Sequence, residues 1–371
     1  MDETLPPANL KSISSLLKAK GLRLGLPEWL LALCIASYTI YASHLTIMKH
    51  HSYNSSAWDL GIFLQALWTT VHSHKLLYYT VELHVNPGGS FLGTHFSPIL
   101  LLLAPLYALS PRAETLLTLQ SLSIALAAVP LYLITRDKLG SKYVALAVSA
   151  AYLLYLPIHE LNWFDFHFEA FIPVTLLSAY YFFERASYVK AYFSFLLALS
   201  CCEFMPIPVS CFALYFILKA VIARLREGSW SVEVKRRLFH GEVLLLLSLA
   251  WFHLALHLIH HFNPAAKVAG NWEYWGSNPA EILVNLLSNP ARALAFILTI
   301  SESICSCSPG VGFLKSDLNM PRPKGERREA EARLRHRRSR RTLFKALPVK
   351  PRFFRPQTRA MKTWAATNPP H

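Results

Sequence analysis

Residues 191–218 read AYFSFLLALSCCEFMPIPVSCFALYFIL, an apolar run interrupted by one charge, Glu203, with Pro206 and Pro208 close behind it. A helix rises about 1.5 Å per residue and the hydrocarbon core of a bilayer is about 30 Å thick, so roughly 20 apolar residues cross it. The run is too long for one crossing. It predicts two short helices meeting in a tight turn, with Glu203 near that turn. A single span kinked by the prolines is the alternative. The hairpin is favoured by cost, because a charge at mid-membrane is unfavourable by roughly 2.5–3.5 kcal/mol on insertion scales.

Working outward, residues 26–48, 115–134 and 241–260 each have the length and composition of a span. Residues 143–158 and 170–183 are shorter and reach full length only with the aromatic residues between them. With the hairpin counted twice, about seven spans result. The first run starts far from Met1 and has no small-residue cleavage pattern, so it reads as a retained helix and not a signal peptide. Overall, 53% of the 371 residues are hydrophobic and 16% are charged, which excludes an ordinary soluble domain.

The net charge of +15 is unevenly spread: residues 1–300 carry +3 and residues 301–371 carry +12. A basic tail is not a nucleic-acid interface, and no nucleic-acid partner is expected. The bilayer is the expected partner. Six cysteines show neither zinc spacing nor a disulfide framework. Lys and Arg in short loops set orientation. The N-terminus, Arg136 to Lys142, Arg185 with Lys190, and Lys219 to Arg237 all face the cytoplasm if residues 99–109 lie in the outer interface without crossing. The expected organisation is a cytoplasmic segment 1–25, a transmembrane domain 26–300 with external loops 49–114 and 159–169, and a basic, disordered tail 301–371. The fold class is an all-α polytopic membrane bundle whose long external loop carries interfacial helices, in a multi-pass cell-membrane protein.

The external loops hold the candidate chemistry. In SAWDLGIFLQALW, residues 56–68, Asp59 opens an amphipathic helical pattern. It is either an N-cap accepting a backbone hydrogen bond or a functional acid. In NPGGSFLGTHFSP, residues 86–98, glycines and Pro87 make a turn, and backbone amides with His95 could hold an anion such as phosphate. In NWFDFHFEAFIP, residues 162–173, Asp165, His167 and Glu169 alternate with phenylalanines. They share a face in a strand, whereas in a helix His167 points away from the two acids. Carboxylate and imidazole suit Mg²⁺, Mn²⁺ or Zn²⁺, although the spacing matches no strong metal motif. The plainer reading is a hairpin tip in an interfacial aromatic belt. His253, His257 and His261 repeat every four residues, either as metal ligands or as an outer helix end meeting water.

The runs Ala57-Trp58-Asp59-Leu60-Gly61-Ile62-Phe63, Gly93-Thr94-His95-Phe96-Ser97-Pro98, and Thr115-Leu116-Leu117 with Gln120-Ser121 resemble a family of prokaryotic predicted membrane proteins, domain of unknown function 2079. The resemblance covers roughly residues 26–300, and Phe166-His167-Phe168-Glu169 and Glu203 take part in it. That family in turn looks like the GT-C group of multi-span glycosyltransferases, which use polyprenyl-phosphate-linked sugars. The resemblance implies a GT-C-like fold with Asp59 as the first catalytic acid and Asp165 or Glu169 as the second. It implies a phosphate-binding role for His95, His167 and Glu203, and a divalent ion, Mg²⁺ or Mn²⁺, as a cofactor held by Asp165, His167 and Glu169. It also implies further spans after Ser308-Pro309, where the sequence turns Arg- and Pro-rich instead. That change reads as truncation or an out-of-frame end, or as a basic tail on anionic lipid. A function from another class is a transporter or metal-binding membrane protein built on the outer histidines, His257 and His261 among them, and Glu203. A third is a non-catalytic membrane scaffold.

Overall fold

The structure, a computed structural model, describes residues 25–266, 275–276, 279–291 and 294. Regular structure among them is helical, apart from one antiparallel bridge between Tyr78 and Ser90. The expected cytoplasmic segment lies outside the described residues except for Gly25, and so does the basic tail. The chain divides into a unit of residues 1–282 and a unit of residues 283–371. In the second unit the described part continues a helix, Pro279–Ser288, to its end.

The first long helix, α1 (Leu26–His51), starts where the Gly25 N–H donates to Glu28 Oε2 at 2.8 Å and Pro27 needs no donor partner. Its buried side chains, Leu31, Tyr38, Ala42 and Thr46, form one stripe at helical spacing, while Trp29, Leu33, Ile40 and Tyr41 stay exposed. A helix that is apolar on both its packed and its open faces belongs in lipid. Within residues 49–114, α2 (Ile62–Ser73) and α3 (Ile99–Leu109) pack on each other; α3 has 11 residues, about 16 Å, and is too short to cross a bilayer. Then come α4 (Ala113–Leu126) and α5 (Ala128–Leu139), which together form one spanning rod. Next, α6 (Lys142–Leu153) and α7 (Leu156–Trp163) meet at a 44° bend, where Pro157 supplies no N–H to the helical ladder.

Residues 191–218 form a hairpin. Helix α8 (Ile172–Glu184) precedes it, α9 (Tyr188–Leu199) and α10 (Pro206–Glu227) are its arms, and Glu203 lies in the six-residue connection between them. Next comes α11 (Val232–Phe262), held close to α10 by Gly241, where a Cβ would meet Ile217 Cγ1 at 2.8 Å. Among the described residues, four helical rods are long and apolar enough to cross a membrane: α1, α4 with α5, α10 and α11. The bent pair α6–α7 makes a fifth. At 13 and 12 residues, α8 and α9 fall short of that length individually.

The helices collect charge at two opposite poles. At one, Arg185 pairs with Asp137 at 2.6 Å, Lys219 with Glu184 at 2.6 Å, and Lys142 with Glu28 at 2.8 Å. These groups come from the turns joining successive helices and from the start of α1. At the other pole lie the end of α1, the loop before α4, the α7–α8 connection and the α9–α10 turn. Here Asn263, just past α11, donates through Nδ2 to the Val85 carbonyl at 3.1 Å.

Candidate functional site

Asp59, His95, His167 and Glu169 line one cavity of about 180 Å³ at this second pole, with Glu82, Thr94 and the rings of Trp58, Phe63, Phe91 and Phe168. The two segments that carry the sequence motifs therefore lie on the same side of the molecule and face each other. A larger, open groove of about 780 Å³ runs along the other face of α2. Its one carboxylate, Glu114, is already 2.9 Å from His51, so the smaller cavity holds the concentrated chemistry.

Asp59 sits in a π-helical turn, Ala57–Gly61, that leads into α2. The cap belongs to Ser56, whose Oγ accepts from the Trp58 N–H at 3.1 Å. The Asp59 carboxylate is left to face His167, with Oδ1 3.5 Å from Nε2. Phe63, the first-turn aromatic of α2, meets Phe91, Phe166 and Phe168 edge-on at centroid distances of 5.1, 5.2 and 5.8 Å. This aromatic cluster fixes the cavity floor and welds α2 to both loops.

The glycine-rich stretch makes a turn and offers few free amides. Gly89 has φ +66, and a Cβ there would lie 2.5 Å from the Tyr78 ring. The N–H groups of Gly89, Phe91, Gly93, Thr94 and His95 all donate to backbone carbonyls of the same loop region, and that of Phe96 donates to Glu203. Anion binding in this stretch thus falls to the His95 ring and not to a backbone cradle. Glu203 is 1% exposed, and both its oxygens are engaged: Oε1 accepts from His95 Nδ1 at 2.9 Å and Oε2 from the Phe96 N–H at 3.1 Å. It anchors the loop against the α9–α10 turn.

The His95 side chain keeps 43% of its surface open to the cavity while protein crowds its remaining sides. Burial lowers its pKa, but the hydrogen bond and charge of Glu203, with the charges of Glu169 and Glu82, outweigh that and raise it above the usual histidine value. Glu169 Oε2 is buried with no hydrogen-bond partner among the described residues. Burial raises its pKa, and a backbone hydrogen bond and the charges of His167 and His95 only partly offset this. A carboxyl oxygen without a partner on a cavity-lining residue makes Glu169 a candidate functional position.

Asp165 goes elsewhere and is not among the cavity-lining residues. Its Oδ1 accepts from Lys49 Nζ at 3.0 Å and its Oδ2 from the Ser56 N–H at 2.8 Å. Lys49 also donates to the Trp163 and Phe164 carbonyls at 2.8 and 3.0 Å. The Asp165 backbone adopts φ +145, a sparsely populated region that costs about 1–3 kcal/mol. Gln120 holds the next turn: its Oε1 accepts from the His167 N–H at 2.6 Å, and its Nε2 donates to the Asn162 and Asp165 carbonyls at 3.0 and 2.9 Å. The segment is neither strand nor helix at 165–167, so successive polar side chains diverge: Asp165 to Lys49, His167 to Asp59, Glu169 into the cavity.

This divergence decides the fit of a divalent ion. Asp165 is committed to Lys49 and Glu203 to His95, and among the described residues no three His, Cys, Asp or Glu side chains converge as a metal site. The donor set does not fit Mg²⁺ or Mn²⁺. His257 and His261 are exposed on α11 and belong to no such cluster.

Three contributors were not singled out by the sequence reading: Lys49, Glu82 and Tyr79. Lys49 had a signal, since a lysine that closes an apolar run of span length calls for an ion-pair partner or water. Tyr79 donates its O–H to Glu82 Oε2, and burial together with Glu82 pushes its phenol up to about 12, so it remains a donor.

A family model described as "Predicted membrane protein (DUF2079)" matches residues 49–309, and the chain belongs to that family. Neither the curated proteins nor the solved structures give a match.

Proposed function

We propose that this member of the DUF2079 membrane-protein family is a GT-C-like glycosyltransferase that uses a polyprenyl-phosphate-linked sugar at the outer face of the cell membrane. The observation that carries the reading is the convergence of Asp59, His95, His167 and Glu169, drawn from segments more than a hundred residues apart, on one aromatic-walled cavity. The assignment of about seven spans with a cytoplasmic N-terminus counts α8 and α9 as short crossings. It is supported by the gathering of the Lys- and Arg-bearing turns at the pole opposite the cavity.

The chemistry divides between groups that hold protons and groups that accept them. Asp59, facing solvent and His167, takes the proton from the acceptor hydroxyl as its oxygen bonds to the anomeric carbon. The bond from that carbon to the phosphate oxygen breaks, and its electron pair leaves with the phosphate. His95, whose charged form Glu203 favours, and Glu169, whose neutral form burial favours, meet the phosphate charge. No metal enters these steps. Asp165 and Gln120 are positioning residues for His167 and Glu169.

The test is incubation of the purified full-length protein with a polyprenyl-phosphate hexose, following loss of the donor by mass spectrometry. Donor consumption that disappears in Asp59→Asn supports the reading. A wild-type protein that leaves every donor intact across hexoses and a pentose sinks it.

A further inference from the structure

The charges around the cavity do not balance from within. Four carboxylates surround it, Asp59, Glu82, Glu169 and the deeper Glu203. Asp59 has His167 at 3.5 Å and Glu203 has His95 at 2.9 Å. Among the described residues, no lysine, arginine or histidine lies within ion-pairing distance of Glu82 or Glu169. Burial favours the neutral form of Glu169. Glu82 has no role in the transfer chemistry, yet its side chain is held toward the cavity by Tyr79, whose hydroxyl also lies 2.8 Å from Thr94 Oγ1.

The wall on which Glu82 opens is aromatic, formed by Trp58, Phe63, Phe91 and Phe168. A carboxylate without an ion pair, in a cavity that aromatic rings also line, is suited to an ammonium, through ion pairing and the negative faces of rings. The space is that of a small polar group: about 180 Å³ matches roughly six waters at about 30 Å³ each. We infer that the group bound in this cavity carries a protonated amine seated at Glu82, as in an amino sugar. This rests on the glycosyl-transfer reading only for the sugar; the amine preference follows from Glu82 and the rings.

Ligand-induced thermal shifts of the purified full-length protein at pH 7 test the inference, using glucosamine, N-acetylglucosamine and glucose as probes. Glucosamine is expected to bind about tenfold or more tightly than either neutral sugar, the scale of one charge-assisted contact. In Glu82→Gln that preference is expected to vanish while the neutral sugars are unaffected. Equal binding of all three sugars, tighter binding of glucose, or binding of none overturns the inference. So does a glucosamine preference that survives both Glu82→Gln and Glu82→Ala. Donor consumption is read separately. Transfer without an amine preference removes this inference alone, and an amine preference without transfer removes the glycosyltransferase reading alone.

Discussion

Lys49 and Asp165 are 116 residues apart in sequence and 3.0 Å apart in space, with side chains only 10% and 5% exposed. The pair ties the last turn of α1 to the loop that presents His167 and Glu169. Its remaining hydrogen-bonding capacity is filled by Ser56 and by two carbonyls. A buried ion pair of this kind is sensitive to losing one partner, because the other charge is then stranded.

Lys49→Met and Asp165→Leu, made singly, are each expected to destabilise the protein by about 3 kcal/mol or more, and the double variant by less than either single. Thermal unfolding in detergent measures this. If the double variant loses the sum of the two singles, the residues are not acting as a pair.

The two cavity acids should respond differently to isosteric replacement. Asp59→Asn removes the accepting carboxylate and should cut transfer by about a hundredfold or more. Glu169→Gln keeps a hydrogen-bond donor where a protonated carboxyl stood, so it should retain more activity than Glu169→Ala. Initial rates of donor consumption decide the matter, and equal loss in Gln and Ala variants would remove the proton-holding role of Glu169.

The raised pKa of His95 gives the site a signed pH dependence. In the unfolded chain the imidazole titrates near about 6.5, and in the folded protein it titrates above that. Its pairing with Glu203 therefore contributes stability in full below about pH 6.5 and loses it as pH climbs through the raised value. Glu82 adds its negative charge to the same effect. Unfolding temperatures across pH 5 to 9 should fall on the alkaline side in the wild type and much less in His95→Gln. A wild-type profile that rises over that interval would contradict the assignment.

Gly89 carries the turn that brings Thr94 and His95 to the cavity. Gly89→Ala places a Cβ against the Tyr78 ring at a positive φ, and a loss of about 1–3 kcal/mol is expected. An unfolding temperature matching the wild type would show that Tyr78 moves aside freely.

How much of this was legible in the sequence depends on the range of the interaction. Helix lengths and the break at Glu203 follow from local hydropathy and from two prolines, and the structure has the hairpin at 199–206. The motif around Asp59 was visible, but its alternative as a cap could be settled only by geometry, since Ser56 three residues earlier is an equally good cap. The spacing of Asp165, His167 and Glu169 implies a shared ligand face only in a regular strand. The backbone is neither strand nor helix at 165–167, and φ +145 at Asp165 turns its carboxylate toward Lys49. Pairings such as His95 with Glu203 and Gln120 with His167 link distant segments, and nothing in local pattern reports them.

Orientation is testable at the two poles themselves. Tyr53, just beyond α1 at the cavity pole, is 98% exposed, and Leu139, at the end of α5 at the basic pole, is 61% exposed. With the cavity facing outward, Tyr53→Cys should react with a membrane-impermeant maleimide in intact cells, and Leu139→Cys should react only after permeabilisation. The unsubstituted chain, whose Cys211 is exposed on α10, sets the baseline. The reverse pattern would place Asp59, His95 and Glu169 on the cytoplasmic side. A donor presented outside the cell could not then reach them, and the glycosyl-transfer proposal would fail on topology alone.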